Sequence, residues 1–166
     1  DAGYTAANLE AINDVTGLPI VLLKTAASQP LSDTAAIIAG ALDGITNYTG
    51  AIIVAGTPNA AELNAIAKST TGKVTATLDP ATTIDATTIA ALKDVKTTDS
   101  ITLVSSVTTV SNSDLTALVA LKKLIPSADF SAVTKLEATL YEISALKSAL
   151  NVAKTADVEV TETISA

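Results

Sequence analysis

The 166-residue sequence predicts an α/β fold, a right-handed α/β solenoid of about six helix–strand repeats with a parallel sheet. Helix-like and strand-like segments alternate along the chain, and Gly or Asp recurs just before each expected strand. These positions, which are 33, 22, 27, 30 and 28 residues apart, are Gly17, Gly50, Gly72, Asp99, Asp129 and Asp157. Both residue types tolerate the turn conformations that end a helix before a strand. A doubly wound α/β sheet is the alternative, but no Gly-rich loop marks a ligand crevice at a strand end.

The first half contains three of the expected units within a single repeat domain, residues 1–166. Boundaries fall at approximately 1–30, 31–57, 58–84, 85–110, 111–134 and 135–166. The pattern predicts a helix over 5–14 with Leu9 and Ile12 on one side, and a helix over 34–42 capped by Ser32 or Asp33. A third helix is expected to start at Asn59, which is its cap and has Glu62 three residues on, as in a capping box. The strands expected between them cover residues 18–23, 51–55 and 74–78.

The second half repeats this plan. Asp85 is expected to cap a helix over 86–95, and Ser111 or Ser113 to cap a helix over 115–124 that Pro126 ends. A longer helix is expected over about 135–151. The strands predicted in this half cover residues 101–104, 130–133 and 158–164. In the fifth unit, a helical stripe from Phe130 to Ile143 also allows one long helix in place of the strand and helix.

Several residue types that carry chemistry are missing. The ten basic residues are all Lys, and the chain has no His, Cys, Met or Trp. This removes an imidazole base or metal ligand, a thiol nucleophile, disulfides and the bidentate clamp that Arg provides. Ala and Thr make up about a third of the chain. Stability is therefore expected from many modest contacts instead of large aromatic anchors.

The charge and the hydropathy of the chain argue against some classes of binding partner. A net charge of −7 and a pI near 4.4 oppose binding to nucleic acid or anionic lipid. No apolar run approaches the ~18 residues of a membrane span, so we expect no membrane insertion. A first residue of Asp instead of Met is expected of a processed protein or of a segment of a longer one.

Two short motifs resemble catalytic or nucleotide-binding sequences but lack residues that those functions need. Residues 68–74, KSTTGKV, resemble a phosphate-binding loop, but Ala67 stands where that motif needs Gly, and Val74 where it needs Ser or Thr. Ser144 and Lys147 have the Ser-x-x-Lys spacing, yet the partner motifs of such enzymes are absent. A helix end and an exposed helix face are the better interpretations.

Three carboxylates form the candidate metal site. If the repeats stack in register, Asp99, Asp129 and Asp157 form a ladder with a spacing of about 5 Å, whose repulsion a Ca²⁺ ion would relieve. The alternative is that each Asp has only a structural role, as a helix-end or turn residue. Apart from Ca²⁺, no cofactor is expected. Asn47 begins an Asn-Tyr-Thr glycosylation triplet in an expected loop.

The stretch 56–78 carries a resemblance to a known group of proteins. Gly56-Thr57, the helix 61–66 (AELNAI) and the strand 71–77 (TGKVTAT) are similar to repeats in large secreted and cell-surface proteins of cyanobacteria and other bacteria. This resemblance implies an extracellular structural or adhesive role, and it carries no catalytic residues to this chain.

The leading hypothesis is a non-catalytic extracellular or cell-surface structural protein that self-associates into a filament or layer as a homo-oligomer or polymer. An adhesin-like or Ca²⁺-dependent binding module, holding a glycan or another cell-surface partner, is the first alternative. A doubly wound α/β enzyme without His or Cys is the second alternative.

Overall fold

The structure, a computed structural model, describes residues 4–16, 18–23, 27–138 and 157–160. Helices and strands alternate through most of this part of the chain. In chain order they are α1 (Ala6–Thr16), β1 (Leu31–Thr34), α2 (Ala35–Leu42), β2 (Ile52–Ala55), α3 (Ala60–Ser69), β3 (Val74–Thr77), α4 (Ala86–Ala91), β4 (Ser100–Thr102), β5 (Thr109–Val110), a 3₁₀ turn (Asn112–Asp114), α5 (Leu115–Leu124), β6 (Lys135–Ala138) and β7 (Asp157–Val160).

The chain forms two compact units. The first comprises Asp1–Leu78 with Leu92–Ile101, and the second comprises Asp79–Ala91 with Thr102–Ala166. The first unit is built around a four-stranded parallel sheet in the sequential order β1-β2-β3-β4. The predicted α/β class with a parallel sheet is therefore confirmed.

The register of the first sheet aligns equivalent positions of successive strands. Leu31 pairs with Ile52, and Ile52 pairs with Val74, so the three inward residues form one buried row. α1 packs on α2, and α2 packs on α3, where Ile38 and Leu63 are fully buried. The core of this unit consists of aliphatic side chains between the sheet and these helices.

The sequence predicted the α3–β3 repeat well. Asn59 caps α3 by accepting a hydrogen bond from the Glu62 backbone N–H at 3.0 Å, and the Glu62 carboxylate accepts one from the Asn59 N–H at 2.9 Å. This capping box satisfies two amides that the first turn of the helix leaves free. Val74, Ala76 and Leu78 are buried on one face, as the alternation predicted.

The second unit contains a three-stranded parallel sheet in the order β5-β6-β7. α4 contacts α5, whose boundaries agree with the predicted helix over 115–124. Asp85 caps α4, because its Oδ1 accepts a hydrogen bond from the Thr88 N–H at 2.7 Å. The expected cap at Ser111 or Ser113 is wrong for α5, since Asp114 occupies the cap position and makes no side-chain capping bond.

Three predictions in the first unit are wrong. Residues 18–23 form no strand, because no neighbouring strand pairs with them among the described residues. Residues 31–34 form β1 instead of a cap, and the α2 cap is Thr34, which accepts from the Ile37 N–H at 3.5 Å. Ile12 is half exposed, so the inward side of α1 rests on Ala6 and Leu9.

The second half also departs from the predictions. α4 ends at Ala91 instead of residue 95, although Leu92 and Val95 remain buried in the first unit. Residues 130–133 contain a turn instead of a strand, and β6 occupies the start of the helix expected over 135–151. The remainder of that helix lies outside the described residues. None of the described helices is long and apolar enough to cross a membrane.

Candidate functional site

The turns before β2 and β3 lie in unusually close backbone contact. A Cβ added to Gly72 would lie 2.1 Å from the Gly50 carbonyl oxygen, and one added to Gly50 would lie 2.1 Å from the Gln29 carbonyl oxygen. Neither glycine has a positive φ; among the described residues that conformation occurs at Gly44 and Gly56. These glycines are therefore needed for close approach between turns, and the expected left-handed backbone is not their reason.

Buried polar groups join these turns. The Thr70 hydroxyl, which is almost fully buried, donates to the Gly50 carbonyl at 2.8 Å and accepts from the Gly72 N–H at 2.8 Å. The Lys96 ammonium donates to the Thr70 and Gly72 carbonyls at 3.0 and 3.1 Å. A charged donor on two carbonyls makes stronger bonds than a neutral one. We refer to Gly50, Thr70, Gly72, Lys96 and Asp99 as the turn stack.

Asp99 has a distinct role in the turn stack. The first amide of β1 donates to the Ala51 carbonyl, and the first amide of β2 donates to the Lys73 carbonyl. The first amide of β3, at Val74, donates instead to Asp99 Oδ1 at 2.9 Å. Asp99 Oδ2 accepts from the Lys96 N–H at 2.9 Å. At residue 99, the Asp that stands where the earlier turns have Gly thus replaces a backbone acceptor with a side-chain acceptor.

The other two members of the predicted ladder lie in the second unit. Asp129 bridges Val104 through its backbone, and its carboxylate accepts from the Ser131 N–H at 2.8 Å, a bond that holds the pKa of Asp129 below its usual value. The backbone of Asp157 pairs with Lys135. Among the described residues no three acidic side chains gather as metal ligands. The Ca²⁺ ladder stays a prediction.

Tyr48 anchors the turn before β2 from inside the first unit. Its ring is buried, and its hydroxyl donates to the Gln29 carbonyl at 2.5 Å, with the Ala51 carbonyl at 3.3 Å. Burial raises the pKa of the Tyr48 hydroxyl well above the usual tyrosine value, the charge of Tyr4 adds to the rise, and a backbone hydrogen bond from Leu31 opposes it. The neutral phenol therefore serves as a structural donor.

Asn47, the predicted glycosylation residue, is partly buried, and both the nitrogen and the oxygen of its side-chain amide form hydrogen bonds. Its Nδ2 donates to the Leu22 carbonyl at 2.7 Å, and its Oδ1 accepts from the Leu22 N–H at 3.3 Å. A side-chain amide used in this way imitates the backbone of a neighbouring strand. Glycosylation at this nitrogen would have to break the bond to Leu22.

The remaining motifs have ordinary structural positions where they are described. Residues 68–74 run from the last turn of α3 into β3, as the helix-end interpretation predicted, and the Lys73 carbonyl accepts the β2 amide. Ser144 and Lys147 lie outside the described residues.

A cleft of about 340 Å³ opens beside the ends of α1 and α2. Asp14 and Asp43 are its charged lining residues, and Leu18 and Pro19 contribute apolar surface. Asn13 also lines the cleft, but its amide donates to the Gly40 and Asp43 carbonyls at 2.9 and 2.7 Å. That amide is therefore occupied in closing the end of α2.

Sequence reasoning missed where the exposed large apolar side chains of the described residues concentrate. Seven large hydrophobic side chains of the described chain are exposed, and five of them lie between residues 12 and 23. Val21 and Leu23 are 81% and 79% exposed, and they belong to the run for which the sequence predicts a strand. We name these five the N-terminal apolar surface: Ile12, Val15, Leu18, Val21 and Leu23. A concentration of exposed apolar side chains in one short stretch of the chain is a candidate interaction site.

Comparison with known proteins gives no match: no family model, curated protein or solved structure is similar to this chain.

Proposed function

We propose that this protein is a non-catalytic structural protein of the extracellular space or the cell surface, and that it self-associates into a filament or layer. The N-terminal apolar surface carries the proposal. Burying a large aliphatic side chain contributes about 1.5–3 kcal/mol. Five such side chains in one short stretch therefore provide a substantial driving force for association.

The architecture supports the proposal. Stacked repeats require that equivalent positions of successive units lie next to one another. The first unit meets this requirement in its sequential strand order, in the paired residues Leu31, Ile52 and Val74, and in the close contact of Gly50 with Gly72. We extend this arrangement to a right-handed α/β solenoid of about six repeats over residues 1–166. A solenoid has open strand edges at its ends, and strand addition from another subunit satisfies such edges.

The composition supports a scaffold over an enzyme. The groups that the turn stack gathers are backbone carbonyls, a threonine hydroxyl, one ammonium and one carboxylate, and each of the three side chains is bonded to backbone of the same unit. The chain also lacks His, Cys and Arg. The repeats resembling residues 56–78 occur in secreted and surface proteins, which supports the proposed location.

Negative-stain electron microscopy of the purified chain over a range of concentrations, with and without Ca²⁺, tests the proposal. We expect regular filaments or sheets whose abundance rises with protein concentration. Isolated particles of monomer size under all of these conditions would contradict it. Assembly only in the presence of Ca²⁺ would support the metal-dependent version of the same function.

A further inference from the structure

The exposure and the hydrogen bonding of residues 18–23, LPIVLL, are those expected of an extended segment bonded along one edge. Exposure alternates over residues 19–23, with Pro19, Val21 and Leu23 exposed and Ile20 and Leu22 half-buried. The backbone N–H and C=O of Leu22 both form hydrogen bonds with the side-chain amide of Asn47. In an extended chain the peptide groups of alternate residues point to opposite sides. Those of residues 19, 21 and 23 are therefore directed away from Asn47.

The edge of residues 18–23 that is directed away from Asn47 has both free and occupied backbone N–H and C=O groups. Among the described residues, no hydrogen bond reaches the N–H or C=O of Val21 or the N–H of Leu23. The Leu23 carbonyl is already occupied, since it accepts from the Ala27 N–H at 2.7 Å. No hydrogen bond from the described part of the chain reaches the Pro19 carbonyl, and Pro19 has no N–H to donate.

This pattern is complementary to itself. In an antiparallel pair centred on Val21, the two Val21 residues face each other and exchange both of their backbone hydrogen bonds. Leu23 then lies opposite Pro19 of the other copy, and its N–H meets the free Pro19 carbonyl. The return bond is not needed, because the donor that Pro19 lacks would have faced the Leu23 carbonyl that Ala27 already occupies.

Charge favours the same partner. Residues 18–23 contain no charged side chain, whereas the chain as a whole has a net charge of −7. The edge strand β1 carries Asp33, whose carboxylate accepts from the Thr34 N–H at 2.8 Å. Pairing residues 18–23 with β1 would desolvate this carboxylate without bringing a basic partner to it. Pairing with the same neutral segment avoids this cost.

We infer that residues 18–23 pair antiparallel with residues 18–23 of a second copy, which forms a two-fold symmetric dimer with Val21 on the axis. This inference rests on the proposed self-association and specifies its first contact. A two-fold contact uses the same surface on both subunits and closes on itself. Growth into a filament or layer then requires a second contact elsewhere on the chain.

Charge substitutions at the axis test the inference. Val21→Asp and Val21→Lys each place like charges opposite one another, and we expect each to weaken the dimer on the order of a hundredfold. An equimolar mixture of the two variants should form a heterodimer, because residue 21 then meets an opposite charge. The matched controls are Val104→Asp and Val104→Lys, at an exposed valine of the second unit, and these should dimerise like the unmodified chain.

Sedimentation velocity provides the mass, and circular dichroism verifies that each variant is folded. A Val21→Cys variant adds a geometric test, because facing Cα atoms about 5.5 Å apart are within disulfide range, and the chain has no other Cys. Mild oxidation should crosslink Val21→Cys and not Val104→Cys. If the unmodified chain assembles but the mixture of charge variants stays monomeric, the pairing is wrong while self-association stands. If the unmodified chain is always a monomer, both proposals fail.

Discussion

The carboxylate of Asp99 accepts a hydrogen bond from the backbone N–H of Val74 at 2.9 Å, where the two preceding strands use a backbone carbonyl as the acceptor. The same carboxylate holds the Lys96 N–H. One side chain therefore joins the turn before β4 to the start of β3. This gives the Asp at residue 99, one of the recurring positions, a physical reason that involves no metal ion.

Replacement of Asp99 should reduce stability in proportion to the acceptors removed. Asp99→Ala leaves two partly buried amides without a partner, which should lower the free energy of unfolding by about 2 kcal/mol. Asp99→Asn keeps one side-chain oxygen and should cost about half as much. Urea unfolding measures both. Asp14→Ala, at an exposed carboxylate, is the control and should cost less than about 0.5 kcal/mol; equal losses at the two positions would contradict this role for Asp99.

The two stacked glycines should not tolerate even one added methyl group. Gly72→Ala forces a Cβ against the Gly50 carbonyl, so we expect a loss of about 3 kcal/mol or more in the free energy of unfolding. Gly44→Ala is the matched control, because its site has open space but a φ of +69°. It should cost about 1–2 kcal/mol from backbone strain alone. The account of close approach fails if Gly72→Ala is the milder of the two in thermal or urea unfolding.

Alkaline pH should destabilise the first unit through Tyr48. Its pKa is raised in the folded state, so the native protein holds this proton more tightly than the unfolded chain does. The contribution is fully present below about pH 10, the usual pKa of tyrosine, and is lost as the pH rises above that value by up to about 1.4 kcal/mol per pH unit.

Tyr48→Phe removes this titration together with the hydrogen bond to Gln29. The variant should be less stable at pH 8, and its stability should fall less steeply between pH 10 and 11.5. Tyr4→Phe is the comparison, since the pKa of Tyr4 is also raised by burial. Parallel stability curves for Tyr48→Phe and the unmodified chain would contradict the assignment.

The amide of Asn47 should control the order of residues 18–23. Asn47→Ala removes both bonds to the Leu22 backbone, so the Leu22 amide should exchange with solvent at least about tenfold faster. Hydrogen exchange followed by mass spectrometry or NMR measures this rate. Asn112→Ala, at an exposed position, should leave the Leu22 rate unchanged. Unchanged exchange in Asn47→Ala would mean that the side chain does not hold the segment.

Local patterns were sufficient to predict some elements. α3 was predicted from its capping residues Asn59 and Glu62, and β3 from the alternation of Val74, Ala76 and Leu78, because both signals lie within a few residues of the element. β1 was missed since Ser32 and Asp33 are typical capping residues and only pairing with β2 shows the segment to be a strand.

The candidate site was less predictable. Gly50 and Gly72 were found by their spacing, but their contact depends on turns more than twenty residues apart. The run 18–23 was predicted as a strand from its apolar sequence, which does not reveal whether a neighbouring strand pairs with it. Its exposure follows from the strand order, because the described strands pair with one another and not with this run.

Sedimentation equilibrium of the unmodified chain over a hundredfold range of concentration measures self-association itself. We expect a weight-average mass that rises from the 16.7 kDa monomer through the dimer and beyond it as the concentration increases. A mass that stays at 16.7 kDa over the whole range would contradict it.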